Sequence, residues 1–399
     1  MSSYGARIVM RLPRLLAMLV GMAFAMPATA LTLGYIELAD DPRYDEGHLE
    51  LRLPLHPLDR PFEAAQVAAR EGRFALQQAG AKLAFERVEL DARGQVATEL
   101  DRLASGGVRF VLLDLPDDLV ADAAAHVAGS DLVLFNLTAL ADNLRRSCSS
   151  NLVHVAPSHA MLYDALAQYL VSRKWRKVFL LTGPGEQDKN LRESFGRTAK
   201  RFGLKIVAER PFVLGKDPRQ REGNNVALLT NGPDHDVVVV LDAEGEFARD
   251  VPYQVQRPRP VVGSAGLVAD WWHWAWERHG APQLNRRVLK KTGHLMRGHD
   301  WSAWAAVKLV VESVLRTGKT DPATIRDYLF GDQLVLDGFK GYPLNVRPWS
   351  HQLRQPVFLT TGNAVVARAP LTGFLHRDNN LDTLGLDERE VNCDKGSGG

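Results

Sequence analysis

Net charge is nearly absent from this sequence: 49 basic and 47 acidic residues leave +2 over 399 positions. That balance argues against a dedicated nucleic-acid binder, which needs a basic field over one face. Long apolar runs are missing as well. The run near the N-terminus, Leu15 to Met26, has 12 residues, short of the roughly 20 that a membrane span requires, and no later segment is long and apolar enough to span. Signatures of catalysis are also lacking. "TGPGEQDKN" follows a strand pattern and precedes a helix pattern, with Gly183 and Gly185 as the first two glycines of a dinucleotide fingerprint. The third place holds Asp188, whose charge would repel a pyrophosphate. "GSAG", Gly263 to Gly266, has its serine one place too early for a nucleophile elbow. His273, His279, His294 and His299 lack the i, i+4 spacing with an intervening glutamate that zinc hydrolases use. Neither a catalytic nor a metal-ligating set can be assigned, and no cofactor is required.

What is present begins with an address. Arg7, Arg11 and Arg14 precede the run "LLAMLVGMAFAM", and "PATA" ends before Leu31. A basic region, a short apolar core and a small-x-small site describe a secretory signal peptide cleaved after Ala30. No cysteine stands at that site, which speaks against lipoprotein anchoring. The mature chain of 369 residues would carry a formal charge of −1 once those three arginines are lost, and is long enough for two domains. In an oxidising compartment its two cysteines, Cys148 and Cys393, are expected to pair.

From Leu31 onward, β-rich runs alternate with helical patterns. "LTLGYIE", "KLAFERVEL", "VRFVLLDL" and "LVLFNLT" read as strands, separated by "FEAAQVAAREGRFALQQAG", "VATELDRLASGG" and "DDLVADAAAHVAGS" as helices. Such alternation predicts a parallel sheet covered on both faces. The loop from about Ala39 to Arg60 is long and proline-bearing, as functional loops often are. After "NLRRSCSSN" the rhythm restarts, with "KVFLLTG", "KIVAERPF", "DVVVVLD" and "RPVVGSA" as strands. Two wound units imply two lobes, with ligands at the carboxyl ends of their strands. The last third, from "GFKGYPLN" to "AVVARA", resembles a hairpin.

Two features point to a ligand. "FNLTAL", Phe135 to Leu140, ends a buried strand with an amide and the Thr138 hydroxyl, which suits a ligand or a helix cap equally well. "VADWWHWAWERHG" packs Trp271, Trp272, Trp274 and Trp276 into six positions. Taken as a helix, it sets Trp271 beside Trp274 on one face and Trp272 beside Trp276 on the next. Core packing is the ordinary reading; a flat ligand stacked on Trp271 is the functional one. "DWSAW" adds Trp301 and Trp304 at i, i+3.

The order of elements across the mature chain resembles type I periplasmic substrate-binding proteins of the branched-chain amino-acid ABC transporter group. "LPLHPLDRPFEAAQVAAREGRFALQQAG", "NLVHVAPSHAMLYDALAQYLVSRKW", "GHDWSAWAAVKLVVESVL" and "GFKGYPLNVRPWSHQLRQPVFLTTG" resemble the subgroup encoded beside pyrroloquinoline quinone (PQQ)-dependent alcohol dehydrogenases. The resemblance implies an α/β fold of two doubly wound three-layer lobes joined by a three-crossover hinge, behind a signal peptide. Residues 1–30 would be the leader, 31–154 the first part of the N-terminal lobe, and 155–282 the C-terminal lobe. Residues 283–335 would return to the first lobe, 336–394 would form hinge strands and tail, and 395–399 a flexible end.

Carried over residue by residue, the ligand site would include Leu115 and Pro116 at one strand end, Leu137 and Thr138 at the next, and Gln187 and Ser264 on the second lobe. Gln187 stands where amino-acid binders place an aromatic ring. Ser264 to Gly266 stand where those binders hold the ammonium with an acid. Both departures speak against an amino acid, and Trp271 is then the nearest flat surface. The implied function is a monomeric periplasmic solute-binding protein that delivers a small molecule to an ABC permease and ATPase complex. It is not an enzyme, and PQQ itself is a candidate ligand. The alternatives are a periplasmic sensor of the same fold that signals without transport, and an exported hydrolase.

Overall fold

The computed structural model describes residues 29–214 and 223–391. All but the last two residues of the expected leader, and also Cys393, lie outside them. The first sheet forms from β1 (Thr29–Leu38), β2 (Ala81–Leu90), β3 (Phe110–Asp114), β4 (Val133–Asn136) and β5 (Leu152–His154), parallel and in the order β2-β1-β3-β4-β5. The expected cleavage point after Ala30 falls just inside β1. Helices α1 (Glu46–Leu51), α2 (Phe62–Gln78), α3 (Val96–Ser105) and α4 (Asp117–His126) lie between these strands in sequence. The strand "FVLLD" is buried at every position, as a strand covered on both faces must be.

Past α5 (His159–Ser172) the pattern repeats. Strands β6 (Lys177–Thr182), β7 (Lys205–Pro211), β8 (Val237–Leu241) and β9 (Val261–Gly263) make a second parallel sheet, ordered β7-β6-β8-β9, with α6 (Glu186–Phe202) after β6. "VVVVL" is again fully buried. In each sheet the chain starts at an inner strand and later strands add on the other side, so each has a switch point where ligands bind in open α/β sheets.

The remainder joins the two units. Strand β10 (Val268–Asp270) pairs antiparallel with β13 (Val357–Thr361), which turns through Gly362 and Asn363 into β14 (Ala364–Ala369), the expected hairpin. Between them lie α7 (Ala281–Thr292), α8 (Gly298–Thr317), α9 (Pro322–Phe330) and the short pair β11 (Leu336–Asp337) and β12 (Pro343–Leu344). Both α7 and α8 pack on α2, more than 200 residues earlier. The tail returns to the second unit, where Asp164 accepts from the Gly385 amide at 2.8 Å and Gln168 donates to Thr383 at 3.0 Å.

The tryptophan segment is not a helix. After β10 it runs through turns, and Asp270 accepts from the Trp272 amide at 3.2 Å. The indoles go to separate places. Trp271 donates to Ser302 at 3.0 Å, Trp272 to Asn285 at 2.9 Å, and Trp276 to the Phe339 carbonyl at 3.0 Å. These three are buried, and Trp274 is half-buried. A helical period drawn through closely spaced aromatics failed because the partners of each ring come from distant elements.

Cys148 sits in the turn after β4 with φ +52°. The pairing with Cys393 expected from the sequence predicts that reduction will lower stability by roughly 2–4 kcal/mol and expose the tail to protease. Two titratable thiols in native, air-exposed protein would refute the pairing.

Candidate ligand-binding cleft

A cavity of about 210 Å³ opens where the carboxyl ends of the two parallel sheets face each other. Pro116 after β3 and Thr138 after β4 line it from the first unit; Gln187 in α6 and Ser264 after β9 line it from the second. These four sequence candidates therefore meet. Leu115, Leu137 and Trp271 do not line the cavity; all three are fully buried in the core. Leu115 contributes only its carbonyl, which accepts from the Thr138 hydroxyl at 3.4 Å. Trp271 lies one layer back, edge-on to His299, whose ring does line the cavity.

The strand ends are held by side chains. Asn136, the last residue of β4, accepts from the amides of Thr138 (3.2 Å) and Ala139 (2.8 Å). Asp117 accepts from the Ala141 amide at 3.0 Å. Opposite, Asp188 accepts from the Gly185 and Ala243 amides, both at 2.8 Å. The residue that spoils a dinucleotide fingerprint thus ties two loops together. Gly263 ends β9 at φ +107°, and a Cβ there would lie 2.3 Å from the Val240 carbonyl oxygen, so only glycine fits.

Sequence reasoning missed several groups in the cleft. Asp242 follows β8; its amide donates to Ser264 at 3.0 Å, and one carboxylate oxygen accepts from Ala248 at 2.9 Å. Its other oxygen is buried with no hydrogen-bond partner, and burial pushes the carboxyl above its ordinary value. In the sequence, Asp242 stands in "LDAEGE" after a buried strand, where the ordinary role of an acid is to cap the following helix, so nothing local marks it as a cleft group. His159 and Tyr163 enter from the first turns of α5. Their i, i+4 spacing was visible, but their direction was not.

The long loop after β1 covers the cavity. Arg43 in this loop is held by Asp41 and Asp114, and Tyr44 donates to Asp114 at 2.7 Å. Arg297, just ahead of α8, donates to the carbonyls of Arg52, Leu53 and His56. The loop so fixed places Leu55 and His56 on the cavity wall, and His48 reaches Glu244 of the opposite unit at 3.0 Å.

Burial, with a smaller effect of His48, pulls the His56 imidazole from about 6.5 down to about 4. Between those values the unfolded chain takes up a proton that the folded ring resists. The contribution of His56 to stability is therefore full above pH 6.5 and is lost as pH falls through about 4. His56→Gln should reduce the acid-induced loss of stability across that window by about 1–2 kcal/mol, discounted for partial exposure. An unchanged Tm-against-pH slope would refute this.

Comparison with known proteins follows from this geometry. Residues 77–222 match the periplasmic binding protein family. A branched-chain amino acid ABC transporter ligand-binding protein from Burkholderia xenovorans superposes with a TM-score of 0.68 at 14% identity, over 85% of this chain and 95% of that one. The chain has the fold of a type I periplasmic binding protein. The matched family is one of binding proteins, not enzymes. Other periplasmic-binding-protein structures agree. A branched-chain amino acid substrate-binding protein from Streptococcus pneumoniae, in complex with isoleucine, gives a TM-score of 0.62 at 16% identity, over 85% of this chain and 99% of that one. An ABC-transporter solute-binding protein from R. palustris, in complex with benzoate, gives 0.63 at 12%, over 92% and 100%. No curated protein matches the sequence.

Proposed function

We propose that this protein is the periplasmic solute-binding component of an ABC importer, exported by cleavage after Ala30 and working as a monomer with a permease and ATPase complex. The observation that carries the reading is the cavity between the carboxyl ends of two parallel sheets, lined from both sides and covered by one loop. Such a cleft binds by desolvating a small molecule between two lobes, and closure is the signal a permease can read. The small sheet of β10, β13 and β14 and the segments flanking it would serve as the hinge.

The ligand belongs, on this reading, to a PQQ-dependent alcohol-oxidising system. PQQ itself is a tricarboxylate. The Arg43 guanidinium at the cavity is already held by Asp41 and Asp114, and Asp117 and Asp242 add negative charge to the wall. That balance favours a substrate or product of alcohol oxidation over the quinone.

Mass spectrometry of whatever the native protein releases on denaturation tests the proposal. Titrated back into stripped protein, the released molecule should give saturable one-to-one heat and a smaller radius in small-angle scattering. Turnover of that molecule would overturn the reading, as would a protein that releases nothing.

A further inference from the structure

The part of the covering loop that faces the cavity does little to hold itself. The ends of the loop are fixed: Arg60 donates to the carbonyls of Leu38 and Ala39, and Tyr44 donates to Asp114. The turn from Arg52 to Pro57 has two backbone hydrogen bonds of its own among the described residues, both long. The Arg52 amide reaches the Leu49 carbonyl at 3.3 Å and the His56 amide the Leu53 carbonyl at 3.4 Å. Two residues of the turn also take a left-handed backbone without being glycine, Arg52 at φ +50° and Leu55 at φ +65°. Cβ crowding makes that conformation rare for a bulky residue, so the surroundings must impose it.

Arg297 imposes it. Its Nη1 donates to the carbonyls of Leu53 at 2.5 Å and His56 at 2.9 Å, and its Nη2 to that of Arg52 at 3.1 Å. Among the described residues no other side chain bonds to the backbone of this turn. A rigid planar fork suits several carbonyls at fixed spacing, as a single ammonium does not. The clamp has its own footing: the Arg297 amide donates to Asp300 at 2.8 Å, and its backbone bridges to His273, just past β10. Burial disfavours the guanidinium charge, and the carboxylates of Asp270 and Asp300 oppose that. Arg297 does not line the cavity; the residues it sets there are Leu55 and His56.

We infer that Arg297 is a positioning residue for the bound molecule: it holds the Arg52–Pro57 turn in its strained form over the cleft and so governs how readily the cleft is uncovered. The inference rests on the solute-binding reading for what is covered, and it adds a determinant of binding that lies outside the cavity wall. Without the clamp, Arg52 and Leu55 are free to relax to ordinary negative φ, and the turn no longer presents Leu55 and His56 as it does now.

Diethyl pyrocarbonate, which acylates neutral imidazoles, tests this on the full mature protein without any solute. His56, His159 and His299 line the cavity, and burial holds all three toward the neutral form. His154, buried at the end of β5, is likewise held neutral but does not line the cavity, so it reports general opening. Peptide mass mapping gives the rate at each ring. In Arg297→Ala the three cavity histidines should react about tenfold faster or more, because three charge-assisted hydrogen bonds leave a segment with little else to hold it. Arg297→Lys should fall between that variant and the wild type, and His154 should not change in either. Should the alanine variant fail to fold, the lysine variant carries the test. Native mass spectrometry of the same preparations should find a smaller fraction of each variant carrying the co-purified molecule. Unchanged labelling in the variants that fold overturns the inference, as does a rise that His154 shares, or undiminished carriage of the molecule by a variant that labels faster. A wild-type protein that carries no molecule removes the solute-binding reading, and the labelling still decides whether Arg297 holds the cover.

Discussion

Asp382→Ala should destabilise the protein by about 3–5 kcal/mol, the loss expected when one partner of a buried charge pair is removed. Asp382, in the C-terminal tail, is fully buried and accepts from Nε of Arg347 at 2.8 Å and Nε of Arg354 at 2.9 Å. Arg347 is itself buried, and its remaining donors go to the carbonyls of Leu381, Leu384 and Leu386. Burial pulls this guanidinium below its ordinary value, and Asp382 is the charge that opposes the pull. Without the carboxylate, the buried cation would lose its paired charge and keep only carbonyls as hydrogen-bond partners. Asp382→Asn, which keeps an acceptor, should lose less. Denaturant unfolding gives the comparison; a loss under about 1 kcal/mol for the alanine variant would show that the pair is not closed in solution.

Trp271→Ala should cost about 3–5 kcal/mol in stability, as truncating a packed tryptophan does. The indole is fully buried, its N–H is satisfied by Ser302, and a Cβ on Gly298 would lie 2.3 Å from its ring. The start of α8 therefore rests directly on it. Trp271→Phe should retain most of the packing and bind the released ligand with little change in Kd, because the cavity wall at this point is His299. The stacking role raised by the sequence predicts the opposite: a sharp loss of affinity in the phenylalanine variant with stability nearly intact. Fluorescence titration and thermal melting of the same variant separate the two.

Four of the residues proposed from resemblance, Pro116, Thr138, Gln187 and Ser264, reach the cavity, while Leu115, Leu137 and Trp271 do not. The first four sit in loops or at a helix start just past strand ends, where topology alone puts them near the switch points. Leu115 and Leu137 are their neighbours in the chain, and the chain direction at a strand end turns one side chain toward the cavity and the next toward the core. His56 and His299 come from segments with no local ligand signature, brought together by Arg297 and by α8 packing on α2.

By itself the sequence determined the order of strands and helices within the two wound units, the repetition of that unit, the closing hairpin and the loops that flank the cleft. Those properties are local: burial on both faces makes "FVLLD" and "VVVVL" strands whatever lies beyond them. Only the tertiary structure decided where the tryptophans point, that Asn136 and Asp188 consume the backbone donors of the strand ends, and that one oxygen of Asp242 is left without a partner. Each of those depends on groups that folding brings together from distant parts of the chain, or on which way a side chain turns, and neither is written in the spacing of residues.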